Sequence, residues 1–345
     1  MKIKFIYIIC IIIIYAAACS PNPDILNVMT HDSFSVSEEI IQSFEDAHHV
    51  RVNFLLSGDA GSMINQAVLT KDTLTADVLY GVDNTFLSRA LKADIFEPYE
   101  SPLLESIPVE LELDNTFRAL PVDYGDVCIN YDKKYFQEES LPIPGSLSDL
   151  TKPEYKGLLV VENPATSSPG LSFLLATIAE YGQSGYLDYW QQLLENDTQV
   201  VNDWETAYYS NFSGSSGKGS QPMVVSYASS PAAEVFFSET ALDEAPTSSL
   251  VGDNMCFRQI EFIGILAGTK KRDLAEKFVD FMLDIPFQED IPLNMFVFPA
   301  NEDAALPVEF INHVQTAAHP ANLPLEEIAA NREAWIESWR SAVLN

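Results

Sequence analysis

Between Leu120 and Asp132, in LPVDYGDVCINYD, the larger apolar and aromatic residues Val122, Tyr124, Val127, Ile129 and Tyr131 alternate with small and acidic ones, and the helix-like KKYF follows. This is the pattern of one long, half-buried strand, with a bend or close backbone approach expected at Gly125. Before it, strand patterns (ILNVMT, VRVNFLL, ADVLYGV) alternate with helix patterns (SEEIIQSFEDAHH, the segment opened by GDAGS, DNTFLSRALKA). After it, GLLVVE, MVVSY and MCFRQIEFIGILAGT read as strands, and the segments following SSPG and SSPA, with LAEKFVDFMLD, read as helices. Strands alternating with helices predict an α/β fold, mostly parallel, with ligand-bearing loops at the strands' carboxyl ends. The expected organisation is one lobe from 25–121 with 261–310 and a second from 122–260, hinged on two crossing strands. Residues 311–345 form a C-terminal helical segment whose stripe of Ile328, Trp335, Ile336, Trp339 and Val343 packs on the lobes.

The first 20 residues, MKIKFIYIICIIIIYAAACS, break this pattern. Lys2 and Lys4 precede an apolar run from Phe5 to Tyr15, too short to span a bilayer, so residues 1–18 are expected to be an export signal. AAAC resembles a lipobox, with Ala16 where leucine is usual. Cleavage before Cys19 would leave a lipidated residue on a linker, 19–24, holding the protein at the outer face of the cytoplasmic membrane. Simple secretion is the alternative.

Lys+Arg 19 against Asp+Glu 50 give a net charge of −31. That field disfavours nucleic acid and favours a cationic partner, while its even spread also serves solubility. With 47% hydrophobic and 20% charged residues, 345 residues can bury the cores of two domains. Beyond Cys10 and Cys19 only Cys128 and Cys256 remain, in no C-x-x-C or metal spacing; they could pair in an oxidising compartment, but the sequence does not bring them within reach, and two buried lone thiols are the first expectation. His48 and His49 match no metal pattern. No serine sits in G-x-S-x-G and no H-E-x-x-H occurs, so neither an enzyme nor a cofactor is expected.

Candidate chemistry lies on the loops. His31, Asp32 and Ser33, then Asp59, then Asp83 and Asn84 fall at strand ends along one edge, although Ser33 and Asp83 also suit helix capping. Ser167 and Ser168 precede Pro169 at a helix start, a site suited to an anion or hydroxyl as well as to capping. Trp204, Tyr208 and Tyr209 follow, then Ser226, Tyr227, Ser229 and Ser230, and finally Phe296. Tyr208 and Tyr209 with a histidine and carboxylates would also make an oxygen-rich ferric site, so a ferric-ion or polyamine binder is the competing expectation.

THDSF, TADVLYGVDNT, PVDYGDVCINYDKKYF, NPATSSPGLSFLL, Trp204 before the tyrosines, VVSYASSPA, FMLDIPFQEDIP and REAWIESW occur in order. Through them the chain from Leu26 onward resembles the thiamine-binding proteins of bacterial ABC importers. The resemblance implies a two-lobed, periplasmic-binding-protein-like fold of type II, monomeric, serving import permease subunits. It implies thiamine or a phosphate ester held by Asp83, Ser167, Trp204 and Tyr227, supported by His31 and Asp32; Tyr208 and Phe296 are further candidate ligand residues. The chain departs from better-known members at His31 and Ala233, where they carry tyrosine, and at Phe296, where they carry tryptophan. The residue chemistry agrees independently. A charged thiazolium joined to a flat pyrimidine needs aromatic faces, worth roughly 0.5–2 kcal/mol each, and a carboxylate in a dry cleft. Trp204, Tyr227 and Asp83 can supply them, and the helix start at Ser167 suits a phosphate or hydroxyethyl group.

Overall fold

The computed structural model describes residues 23–344, except 59, 74 and 217. The leader, Cys19 and Asp59 therefore lie outside the described residues. The described residues form eleven strands: β1 (Asp24–Thr30), β2 (Val50–Leu56), β3 (Val78–Asp83), β4 (Phe96–Glu97), β5 (Leu120–Asp132), β6 (Leu159–Glu162), β7 (Gln199–Val201), β8 (Met223–Tyr227), β9 (Thr247–Leu250), β10 (Phe257–Leu266) and β11 (Phe298–Pro299). Their order is β2-β1-β3-β10-β5-β8-β6-β7, with β4 on β10 and with β9 and β11 on β5. β1 pairs in parallel with β2 and β3, and β6 with β7 and β8, so the chemistry-bearing loops follow the strands' carboxyl ends. β10 and β5 run antiparallel to their neighbours and stitch the halves together.

Two cores sit on either side of this stitch. One gathers β1, β3, the first half of β5 and β10 with Phe278, Val279, Met282 and Leu283 of the helix Arg272–Leu283. Those four residues with Ala275 repeat at helical spacing, which gives that helix a single apolar face. The other gathers the second half of β5, β6 and β8 around the helix Ser168–Glu195, with Trp190 edge-on to Trp339 at 5.3 Å. Ile328, Trp335 and Trp339 of the C-terminal helix Leu325–Val343 belong to this second core. The chain thus crosses between the halves a third time, in 301–320, in addition to the two strands.

β5 is continuous through Gly125. Instead of a bend there, the Tyr227 ring approaches, and a Cβ on Gly125 would lie 3.4 Å from it. The irregularity falls earlier: Glu261 faces Asp123 and Phe262 faces Pro121, so Val122 bulges. At the other end of the hinge, Arg258 donates two hydrogen bonds to the Asp126 carboxylate (2.7 and 2.9 Å), and the Ala317 amide donates to the same group. The third crossing is thereby pinned to the two strands.

The expected free thiols are corrected. Cys128 on β5 and Cys256 immediately before β10 form a disulfide, both buried, with Cα atoms 4.2 Å apart. Neighbouring strands bring together residues 128 positions apart, a juxtaposition that spacing along the chain does not encode.

Candidate functional site

The carboxyl ends of the strands meet where the two halves join. Asp83 ends β3 with no solvent exposure. Its Oδ1 accepts from the Thr85 amide (2.7 Å), the Thr85 hydroxyl (2.5 Å) and the Phe86 amide (3.2 Å), so the residue caps its own turn. Its Oδ2 accepts from Gln259 Nε2 at 3.1 Å, and Gln259 Oε1 lies 3.4 Å from the Tyr227 hydroxyl. One relay on the hinge strand β10 therefore links the second half, at Tyr227, to the first, at Asp83. Burial raises the Asp83 carboxyl above its usual range, with Glu261 adding to the rise, while the bonds from Thr85 and Gln259 oppose it.

His31 follows β1, with Nε2 3.3 Å from Glu261 Oε2. Its place is made by Gly81, whose φ of +96° suits glycine and whose added Cβ would fall 2.2 Å from the imidazole Cδ2. Burial lowers the His31 pKa, but the charge and hydrogen bond of Glu261, with Asp83 and Asp32 beyond, raise it above 6.5. Asp32 Oδ1 is committed to the Gly58 amide, accepting from it at 2.9 Å. Asn84 bonds both ways to β10, giving to the Arg258 carbonyl and taking from the Ile260 amide.

On the second half, Ser167 caps its helix, its Oγ accepting from the Gly170 amide at 3.3 Å. Gly170 lets that helix start sit against the end of β6, since a Cβ there would lie 2.6 Å from the Glu162 carbonyl oxygen. Trp204 stacks on Tyr208 (5.0 Å, 20°) and donates from Nε1 to Ser226 Oγ at 2.9 Å. The Tyr208 hydroxyl is bound to the Glu234 carboxylate, whose other oxygen accepts from Thr247 (2.7 Å). Tyr209 is more than half exposed and meets the buried Tyr208 ring edge-on at 5.4 Å. Phe296, at φ +55°, closes a helix end and packs on Phe237 (5.3 Å) and Phe236 (6.0 Å) at the rim.

Sequence reasoning missed Tyr80, Glu162, Gln259 and Glu261. Gln259 and Glu261 are the polar positions of RQIEFIGIL, and polar residues on an otherwise apolar strand were the available signal. Glu162 ends β6 fully buried with neither carboxylate oxygen bonded. Burial pushes the Tyr227 phenol far up, reinforced by the charges of Glu261, Asp83, Glu162 and Asp123. The broad concavity lined by Asn27, Lys71, Asp77 and Lys271 lies at the opposite edge of the first lobe, where Asp77 already holds Lys271 at 2.9 Å.

A junction of two α/β lobes, with polar and aromatic loops facing each other across hinge strands, defines a solute-binding protein. Residues 74–318 match the family model for bacterial extracellular solute-binding proteins, and the chain belongs to that family. It is 30% identical to the thiamine-binding periplasmic protein of Brucella suis biovar 1, over 96% of this chain and 95% of that one. It is 29% identical to the thiamine-binding periplasmic protein of Salmonella typhimurium, over 96% and 97% of the two chains. Its fold is similar to a solved periplasmic thiamin binding protein, with TM-score 0.79 and 28% identity over 93% of this chain and 96% of that one.

Proposed function

We propose that the protein captures thiamine, or a thiamine phosphate, between its lobes and passes it to the permease of an ABC importer. The observation that carries this reading is the row of acids Asp83, Glu261 and Asp123 on three neighbouring strands, with Tyr227 joined to Asp83 through Gln259. Acidic groups buried next to aromatic faces suit a flat organic cation and disfavour an anion beside them. The thiazolium lies towards Asp83 and the rings of Trp204 and Tyr227, and the Ser167 helix start takes the hydroxyethyl or phosphate end. The full-length similarity to thiamine-binding proteins supports the same ligand. Entry requires the lobes to part, because the relay from Tyr227 through Gln259 to Asp83 now occupies the junction.

The protein acts as a monomeric receptor without a cofactor of its own and not as a catalyst. Lipid attachment at Cys19 holds it outside the cytoplasmic membrane, a reading supported by AAAC and by the Cys128–Cys256 disulfide, which suits an oxidising compartment. A ferric site built on Tyr208 and Tyr209 is disfavoured by the bond that commits the Tyr208 hydroxyl to Glu234.

Calorimetric titration with thiamine, its mono- and diphosphate, spermidine and ferric citrate tests the reading. One site for thiamine or its esters, with no heat from the other two, is expected. Binding of ferric citrate or spermidine in preference to every thiamine form would overturn it.

A further inference from the structure

Asp83, Glu261 and Asp123 stand in one row across three neighbouring strands. Glu261 is the register partner of Asp83 on β3 and of Asp123 on β5. Direct partners across antiparallel strands share a face with Cβ atoms roughly 5 Å apart, a placement in which like charges destabilise. Asp83 and Asp123 are fully buried, and Asp123 Oδ1 has no hydrogen-bond partner. Tyr80 has one hydroxyl proton for two acceptors, Asp123 Oδ2 at 2.5 Å and Glu261 Oε2 at 3.0 Å. Gln259 donates to Asp83 and accepts from the Tyr227 phenol, which faces the row from β8, and Asp32 adds another acid near His31. Among these groups the one able to carry positive charge is His31, which pairs with Glu261. His31 and Glu261 retain access to solvent, with 10% and 16% of their side chains exposed, whereas Asp83 and Asp123 have none.

We propose that His31 is the resident counter-cation of this carboxylate row, and that an organic cation entering beside Asp83 takes over that role and expels the imidazole proton to solvent. The inference rests on the thiamine reading and adds its regulation: the empty site is balanced by a proton, the loaded one by the ligand. No covalent bond changes; the proton leaves a ring nitrogen for the buffer. Burial and the neighbouring Glu261 charge raise the Asp123 carboxyl well above its usual range, while the His31 charge and the His31 and Tyr80 hydrogen bonds hold the Glu261 carboxyl below its usual range against its own burial. The exchange therefore falls on His31, whose pKa is raised above 6.5. A cation nearby lowers it, so binding releases a proton and affinity rises with pH across the neutral range until the free protein has lost that proton. Glu261 and Asp123 thereby become specificity-determining residues for cationic ligands.

The test is calorimetry of thiamine binding to the intact protein at pH 7 in phosphate, imidazole and Tris, whose ionisation enthalpies differ, with dissociation constants taken from pH 6 to 8. The observed enthalpy should change with the buffer's ionisation enthalpy with a slope of roughly half to one proton released, and affinity should tighten by about threefold or more per pH unit at the acid end. His31→Asn, which keeps an N–H for Glu261, should bind with no buffer dependence, and His31→Lys, a permanent cation, should bind more weakly and equally flatly. Thiamine binding with a buffer-independent enthalpy in the unsubstituted protein, or an unchanged slope in His31→Asn, would overturn the proton exchange and leave the thiamine reading standing. Absence of thiamine binding at every pH would overturn the thiamine reading itself.

Discussion

The Arg332 guanidinium, carried on the C-terminal helix of the second core, lies 4.1 Å over the Phe86 ring and donates to the Thr85 carbonyl at 2.9 Å. Thr85 and Phe86 are the residues whose amides hold Asp83, so a helix docked in one half steadies the binding turn of the other. Arg332→Ala should lower unfolding stability by about 2 kcal/mol through loss of the buried stacking and hydrogen bond. Arg332→Lys, lacking the planar fork, should recover only part of this. Chemical denaturation of the three proteins checks the order, and equal midpoints would remove the helix from this role.

The disulfide closes a loop of 128 residues that carries most of the second core. Replacing both Cys128 and Cys256 by serine should cost about 2–4 kcal/mol, mainly by freeing the unfolded chain. The same loss should follow reduction of the unsubstituted protein, and dithiothreitol should not shift the double variant. A midpoint unaffected by reduction would contradict the pairing.

Glu234 supplies a pH dependence of its own. Burial raises its carboxyl from 4.5 to about 7, helped by Asp132 and opposed by the bonds from Tyr208 and Thr247 and by Lys133. The folded protein holds this proton more tightly than the unfolded chain, so the stabilisation is complete below about 4.5 and is lost as pH rises to about 7. The full span is about 3 kcal/mol at most. Glu234→Gln should gain on the unsubstituted protein between pH 5 and pH 8 in melting temperature, and parallel curves would refute the shift.

Gly81→Ala meets both a left-handed backbone, φ +96°, and the His31 ring at 2.2 Å, whereas Gly157→Ala at φ +73° meets no neighbouring atom within 4 Å. The first should destabilise by several kcal/mol and displace His31, and the second by about 1 kcal/mol of backbone strain. Comparable thermal shifts in the two variants would show that the imidazole does not need this space.

Much of the architecture was legible because it follows local periodicity. The alternation in LPVDYGDVCINYD gave β5, SSPG gave the Ser167 cap, and the stripe of Ile328, Trp335 and Trp339 gave a packed C-terminal helix. What escaped depends on contacts between distant segments. Glu261 looks like an interruption in RQIEFIGIL until β3 and β5 set Asp83 and Asp123 at its sides. Asp32 and Asp83 looked alike as acidic loop ends, yet one turns to the Gly58 amide and the other into the junction. The two cysteines became neighbours only through the pairing of β5 with β10.

The central claim is that the junction holds a cation against Asp83, and the most direct measurement is the thiamine dissociation constant of Asp83→Asn beside that of a neutral pyrimidine analogue, with melting temperatures taken on the same samples. Asparagine keeps an oxygen for the Thr85 and Phe86 amides, so the turn should stay folded while the charge is lost. The expected result is thiamine binding weakened about tenfold or more, the analogue weakened less, and Trp204→Ala costing both ligands comparably. Unchanged thiamine affinity in a folded Asp83→Asn protein would contradict the account.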